Sequence, residues 1–198
     1  MAESDRHREE MVDLIYALRR HYQDTPDVYV SGNLLLYYRE GDPLSVVAPD
    51  VFLVKGIPKG DRRNYKLWEE GRAPSLVIEV TSSITQDEDN QKKRCYESLE
   101  SRSISVRPMG DYLSLRLQSY RLVRNRYEPI RPRPDGSLES RTTGLTLTVE
   151  GLHLRLIDTA TGEQLLRVSE LGEKLGEERA ARYPPACRTE TWIGHPVR

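Results

Sequence analysis

Four residues carry the chemistry open to this chain: the carboxylates Asp50 and Glu79 and the lysines Lys92 and Lys93. Glu79 sits inside LVIEV (76–80), an apolar, β-branched run of the kind that forms a buried strand. A carboxylate there needs a partner or a cation, since burying even a neutral polar group unpaired costs roughly 2–7 kcal/mol. Asp50 follows Pro49 and opens a second apolar run, Val51 to Val54, while Lys92 and Lys93 follow in the polar stretch beyond Thr85. An acid at a strand mouth, an acid inside a strand and a lysine beyond it outline metal-dependent phosphodiester chemistry. Each residue also has a plainer reading. An Asp after Pro can bond its own backbone in a turn, and adjacent lysines on a helix usually face solvent.

The elements that must position these groups follow from the apolar periods. Met11, Leu14, Ile15, Leu18 and Tyr22 recur at helical spacing, with Ser4 as N-cap and Pro26 as a stop. Glu9 and Glu10 on this helix are within the class of acids that could approach a metal, but solvated charge is the simpler expectation. Val28 to Tyr38 reads as a strand bent at Gly32. Val46 to Val54 reads as a second strand, in which Pro49 removes a ladder donor and demands an irregularity. The connection 57–74 is rich in Lys and Arg and holds Tyr65 and Trp68, aromatics suited either to the core or to stacking on bases. Thr85, with Glu88 after it, predicts a capped helix whose Tyr96 and Leu99 face the core. Tyr112 to Val123 and Tyr127 to Ile130 read as strands, and Leu145 to Ile157 as a hairpin turning near Gly151. His153, with no other His nearby in sequence, reads as a strand residue. Arg131 and Arg133 lie in the loop RPRPDGS, where solvent is the expected neighbour.

Composition narrows the classes. A chain of 198 residues can bury one proper core. A net charge of −1 excludes a globally basic nucleic-acid binder, so any such contact needs local patches. Cys95 and Cys187 form no C-x-x-C, which argues for a reducing compartment and against structural zinc. No apolar run reaches the roughly 18 residues of a membrane span, and the first residues lack the apolar stretch of a signal peptide. The expectation is a cytoplasmic protein with no membrane partner.

The strings APDVFLVKGIP, YKLWEEGRAPSLVIEVTSSIT, DEDNQKKR and GDYLSLRLQSYRLV resemble the Uma-type family of putative restriction endonucleases, within the PD-(D/E)xK nuclease superfamily. The resemblance runs from about Asp27 to Leu166. It implies an α/β (α+β) fold: a restriction-endonuclease-like core of mixed β-sheet flanked by helices, with a C-terminal helical tail. It implies a nuclease domain over 1–160 and, within 161–198, a helical extension, after which YPPACRTETWIGHPVR, with neither period nor charge pattern and with Pro184-Pro185 ending any helix, is expected to be a disordered tail. It puts the family's acids on Asp50 and Glu79. The superfamily's usual lysine position, two residues after the strand acid, holds Thr81 here, so the lysine moves to the following helix. Counting from Glu79 and from Asp89 selects Lys93, and counting back from Tyr96 selects Lys92; Lys93 is preferred. The implied cofactor is Mg2+, with Mn2+ as substitute, held by Asp50, Glu79 and the backbone carbonyl of Val80. The implied substrate is DNA, and a homodimer is compatible with the family.

One segment departs from the pattern. Where the family has a strand resembling GIAEYFLFD, this chain has the polar Glu100–Arg107, in which Ile104 and Val106 alone are strong strand formers. The composition predicts a poor central strand. Ser103-Ile104-Ser105 can be encoded so that Glu-Tyr-Phe lies one base out of frame, which suggests compensating small deletions in the gene. The alternative to an active enzyme is therefore a catalytically impaired nuclease-fold protein that binds nucleic acid or serves as a scaffold. A third possibility is a partner-binding protein whose acids are structural.

Overall fold

The apolar runs become strands buried on both faces, and this sets the architecture. The computed structural model describes residues 4–81, 86–99, 101, 103–108 and 117–182. The Thr85 cap, residues 112–116 of the strand expected from Tyr112, Glu100, Arg102 and the tail beyond Arg182 lie outside them. Helix α1 (Asp5–His21) starts at Ser4, whose hydroxyl accepts from the His7 N–H. Strands β1 (Val28–Ser31), β2 (Leu36–Tyr37), β3 (Val46–Val47), β4 (Val51–Lys55) and β5 (Tyr65–Lys66) follow, then the one-turn α2 (Leu67–Glu70). Strand β6 (Leu76–Thr81) leads to α3 (Gln86–Ser98), β7 (Ser103–Pro108), β8 (Gln118–Val123) and β9 (Arg126–Pro129). Strands β10 (Leu138–Ser140), β11 (Leu145–Glu150) and β12 (His153–Asp158) precede α4 (Val168–Arg182).

The main sheet has the order β1-β4-β6-β7-β8-β9. Its neighbours are antiparallel except β6 and β7, which run parallel and are joined by α3. A parallel pair needs such a crossover. Two small sheets, β10-β11-β12 and β3-β2-β5, complete the set. Alternate residues of the central strands feed two cores. Val51, Leu53, Leu76, Ile78 and Val80 join α1 and the β10–β12 sheet. Phe52, Val54 and Val77 join Tyr65, Tyr96 and Leu99 on the other face. Burial on both sides explains why β4 and β6 read as unbroken apolar runs. Each fully buried Leu, Ile or Phe contributes roughly 1.5–3 kcal/mol.

The breakers move the chain between sheets. The single bent strand expected over Val28–Tyr38 is two strands, β1 in the main sheet and β2 in a small one. Pro49 likewise separates β3 from β4. Gly32 has a packing reason: a Cβ there would stand 2.0 Å from the Asp50 carbonyl oxygen and 2.7 Å from Ile15 Cδ1. The Asn33 N–H donates to the Pro49 carbonyl at 2.8 Å, holding this crossing together. Tyr65 is core, fully buried with its hydroxyl on the Arg72 carbonyl, whereas Trp68 is exposed. The polar segment does form a central strand: Ile104 pairs with Val77 and Tyr120, and Val106 with Glu79 and Gln118. Pairing on both edges outweighs the weak propensity of its residues.

The chain divides into two compact units, 1–167 and 168–198. The first extends past β12 because Gln164 bridges Ile157 and the Leu165 N–H donates to the Leu156 carbonyl. The described part of the second is α4. No helix among the described residues is long and apolar enough to cross a membrane.

Candidate active site

Antiparallel pairing of β4 and β6 brings the two acids together. Val51 stands opposite Ile78 at the end of the ladder, and the residue beyond each in that direction is an acid, Asp50 on one side and Glu79 on the other. Both are buried, at 6% and 2% exposure. Asp50 Oδ2 accepts from the Val80 N–H at 2.6 Å, so the backbone after Glu79 is tied to the first acid. Asp50 Oδ1 lies 3.3 Å from His7 Nε2, contributed by the first turn of α1.

Glu79 is met by α3. Lys92 Nζ donates to Oε2 at 2.8 Å and the Tyr96 hydroxyl to Oε1 at 2.5 Å. Lys92 and Tyr96 are four residues apart, one above the other on the same helix face. Lys93 is rotated by about 100° and points elsewhere. Its ammonium lies 3.3 Å from the centroid of the Tyr120 ring, a cation–π contact with β8. Lys92, and not the preferred Lys93, is thus the lysine placed against Glu79. The backward count from Tyr96 follows the helix face that Lys92 and Tyr96 share toward Glu79.

The charges act on one another. Burial, followed by the negative charge of Asp50, pushes the Glu79 carboxyl up to about 8, against the pull of Lys92 and Tyr96. Burial also acts to raise Asp50, but His7, Lys92 and the Val80 N–H together outweigh it and hold this carboxyl below the usual range. Burial, then the Glu79 charge, pushes the Tyr96 hydroxyl well above its ordinary value, so it remains a donor. Two neighbouring carboxylates whose proton affinities are driven apart are a mark of functional sites.

Sequence reasoning missed His7. A lone His on an amphipathic helix carries no signal until α1 is docked across β4. Glu10 does not carry the solvated charge expected of it. It is buried at 2%, accepts from the Leu154 N–H at 2.5 Å and meets His153 Nδ1 at 2.7 Å, which ties α1 to β12. Among the described residues, no group of three or more His, Cys, Asp or Glu forms a ready metal cage.

A mixed sheet with a β–α–β crossover, an acid at the mouth of one strand and an acid inside its neighbour define a restriction-endonuclease-like fold. The family model described as "Uma2: Putative restriction endonuclease" matches residues 1–153, and the chain belongs to that family. Among solved structures it is similar to a putative nuclease of the DUF820 group from Anabaena variabilis, at 12% identity and a TM-score of 0.53, covering 72% of this chain and 76% of that one. At that identity the likeness shows the fold. No curated protein matches the chain.

Proposed function

We propose that the chain is a divalent-metal-dependent endonuclease that hydrolyses DNA phosphodiester bonds. The observation that carries this reading is the cross-strand pair Asp50 and Glu79 with Lys92 on the helix that follows. The donor set suits a hard cation. Mg2+ takes oxygen ligands, keeps several waters and is commonly held by one or two carboxylates plus substrate phosphates. Asp50, Glu79 and the Val80 carbonyl would hold it, and Mn2+ could substitute. A bound cation would supply activation of water and neutralisation of phosphate charge.

The protein's own groups have separate tasks. Tyr96 fixes the Glu79 carboxylate by donating to one oxygen. The Val80 N–H and His7 fix Asp50. Lys92, with its side chain a quarter exposed, brings a positive charge from the buried acid toward solvent, where it can steady developing negative charge on a phosphate. As an ammonium it cannot accept a proton, so it acts by charge and hydrogen bonding. The Mg2+ and DNA assignments are supported by the donor chemistry and by family membership.

A second reading, a nuclease-fold protein that binds nucleic acid without cleaving it, is favoured by the polar composition of β7. One assay separates them. Supercoiled and linear DNA are incubated with the protein and Mg2+ or Mn2+, beside Asp50→Asn and Glu79→Gln. Cleavage by wild type that both substitutions abolish supports the endonuclease. Absence of metal-dependent cleavage overturns it.

A further inference from the structure

The chain is nearly neutral, yet its arginines are not evenly spread. The turn between β8 and β9, the loop after β9 and the turn after β10 enclose an open groove of about 650 Å³. Arg121, Arg124, Arg131, Arg133 and Arg141 line it, against one carboxylate, Glu139. Arg133 pairs with Glu139, and Arg121 lies 3.7 Å from Glu128. Arg124, Arg131 and Arg141 are exposed and make no ion pair among the described residues. From Arg141 the basic surface continues into an adjoining depression lined by Arg72 and Lys55.

Arg124 is placed against local preference. It has φ +47° and Asn125 has φ +62°, so both central residues of the β8–β9 turn are left-handed. That turn type favours Asn, Asp or Gly at both places. A long cation held at the tip of the hairpin is the kind of outlier that points to function.

The hairpin-tip end of the groove is remote from Asp50 and Glu79, whereas its other end, at Ile130, lies beside Ser119. Glu79 is level with Val106, and Val106 with Gln118. The hairpin tip lies roughly six residues further along β8, about 20 Å at strand rise. We infer that this arginine groove is a second site, one that binds the phosphodiester backbone of a nucleic acid. Arginine suits it because its planar fork meets phosphate oxygens two at a time. An open groove in which Arg124, Arg131 and Arg141 make no ion pair among the described residues suits a repeating anion. The inference does not require Asp50 and Glu79 to be catalytic.

The test is binding of a fluorescein-labelled duplex of about 20 base pairs to the full chain in EDTA, by anisotropy, over a range of salt. The triple variant Arg124→Ala, Arg131→Ala, Arg141→Ala should weaken binding at least about tenfold and flatten the log K against log salt slope by roughly 2–3, near 0.9 for each phosphate no longer neutralised. Arg131→Ala alone should flatten it by about 1. The triple Lys variant should keep the slope and lose part of the affinity. Binding is read in EDTA and requires no cleavage, so a failed cleavage assay does not touch this result. Duplex binding with unchanged affinity and slope in both Ala variants overturns the inference, as does absence of wild-type binding at about 50 mM salt. Loss of binding to phosphatidylserine vesicles, with duplex binding unchanged, overturns it in favour of a membrane surface.

Discussion

Lys92 Nζ lies 2.8 Å from Glu79 Oε2, while the ammonium of its neighbour Lys93 lies 3.3 Å from the Tyr120 ring centroid. One residue along a helix thus separates a charge at the acid pair from a charge resting on an aromatic face. If Lys92 serves the reaction, Lys92→Ala should lower kcat by about 10²-fold or more with little change in metal affinity. Lys93→Ala should cost less than about 1 kcal/mol of stability and leave kcat within a few-fold. Steady-state cleavage rates for the two variants decide, and the reverse ranking would remove Lys92 from the mechanism.

Asp50 and Glu79 are proposed to hold one ion between them. Calorimetric Mg2+ titration should show affinity lost in both Asp50→Asn and Glu79→Gln. Unchanged affinity in either variant would show that the two acids do not share a cation.

Glu79 gives the metal-free protein a distinctive pH dependence. Its folded value, about 8, lies above the ordinary 4.5, so the folded chain binds the proton more tightly than the unfolded chain. The associated stability is fully present below about pH 4.5 and is lost as pH rises through 8, with a slope of up to about 1.4 kcal/mol per pH unit. Asp50 is shifted the other way, so its contribution is lost only under acid conditions, below the ordinary carboxylate range. Chemical denaturation from pH 5 to 8.5 in EDTA should show stability falling, and Glu79→Gln should flatten that fall. An equal slope in the variant would place the titration elsewhere.

Gly32 allows the chain to pass the Asp50 backbone. A methyl at that position meets a carbonyl oxygen at 2.0 Å, a contact that backbone alone can relieve. Gly32→Ala should destabilise the fold by about 1–3 kcal/mol and weaken metal binding by shifting Asp50. A melting temperature and Mg2+ affinity equal to wild type would show that β4 has more freedom than this packing implies.

Strand β7 occupies the middle of the main sheet with a composition suited to its edge. Replacing the segment with the family-like GIAEYFLFD should raise the melting temperature, since each large apolar side chain regained is worth roughly 1.5–3 kcal/mol. A variant no more stable than wild type would show that the polar strand is already well accommodated. The gene itself tests the origin: codons that yield no apolar strand in either other frame exclude a reading-frame slip.

Asp50 and Glu79 were legible in the sequence because a carboxylate stands out against a strand buried on both faces, and such runs are local. Helix α1, the Pro49 break and the β11–β12 hairpin were legible for the same reason: period, capping and turn chemistry act over a few residues. Partnership was not. Lys92 and Lys93 are chemically identical, and helix rotation against β6 decides which one meets Glu79. His7 reaches Asp50 across 43 positions, and Glu10 reaches His153 across 143, because α1 docks on strands from both ends of the chain. The arginines of three separate turns are set by local hairpin pairing, and they line one groove only because the β8–β9 hairpin and the turn after β10 come together in the fold. Local physics chose the residue types and the elements; the packing of α1 and α3 on the sheet chose which charges meet.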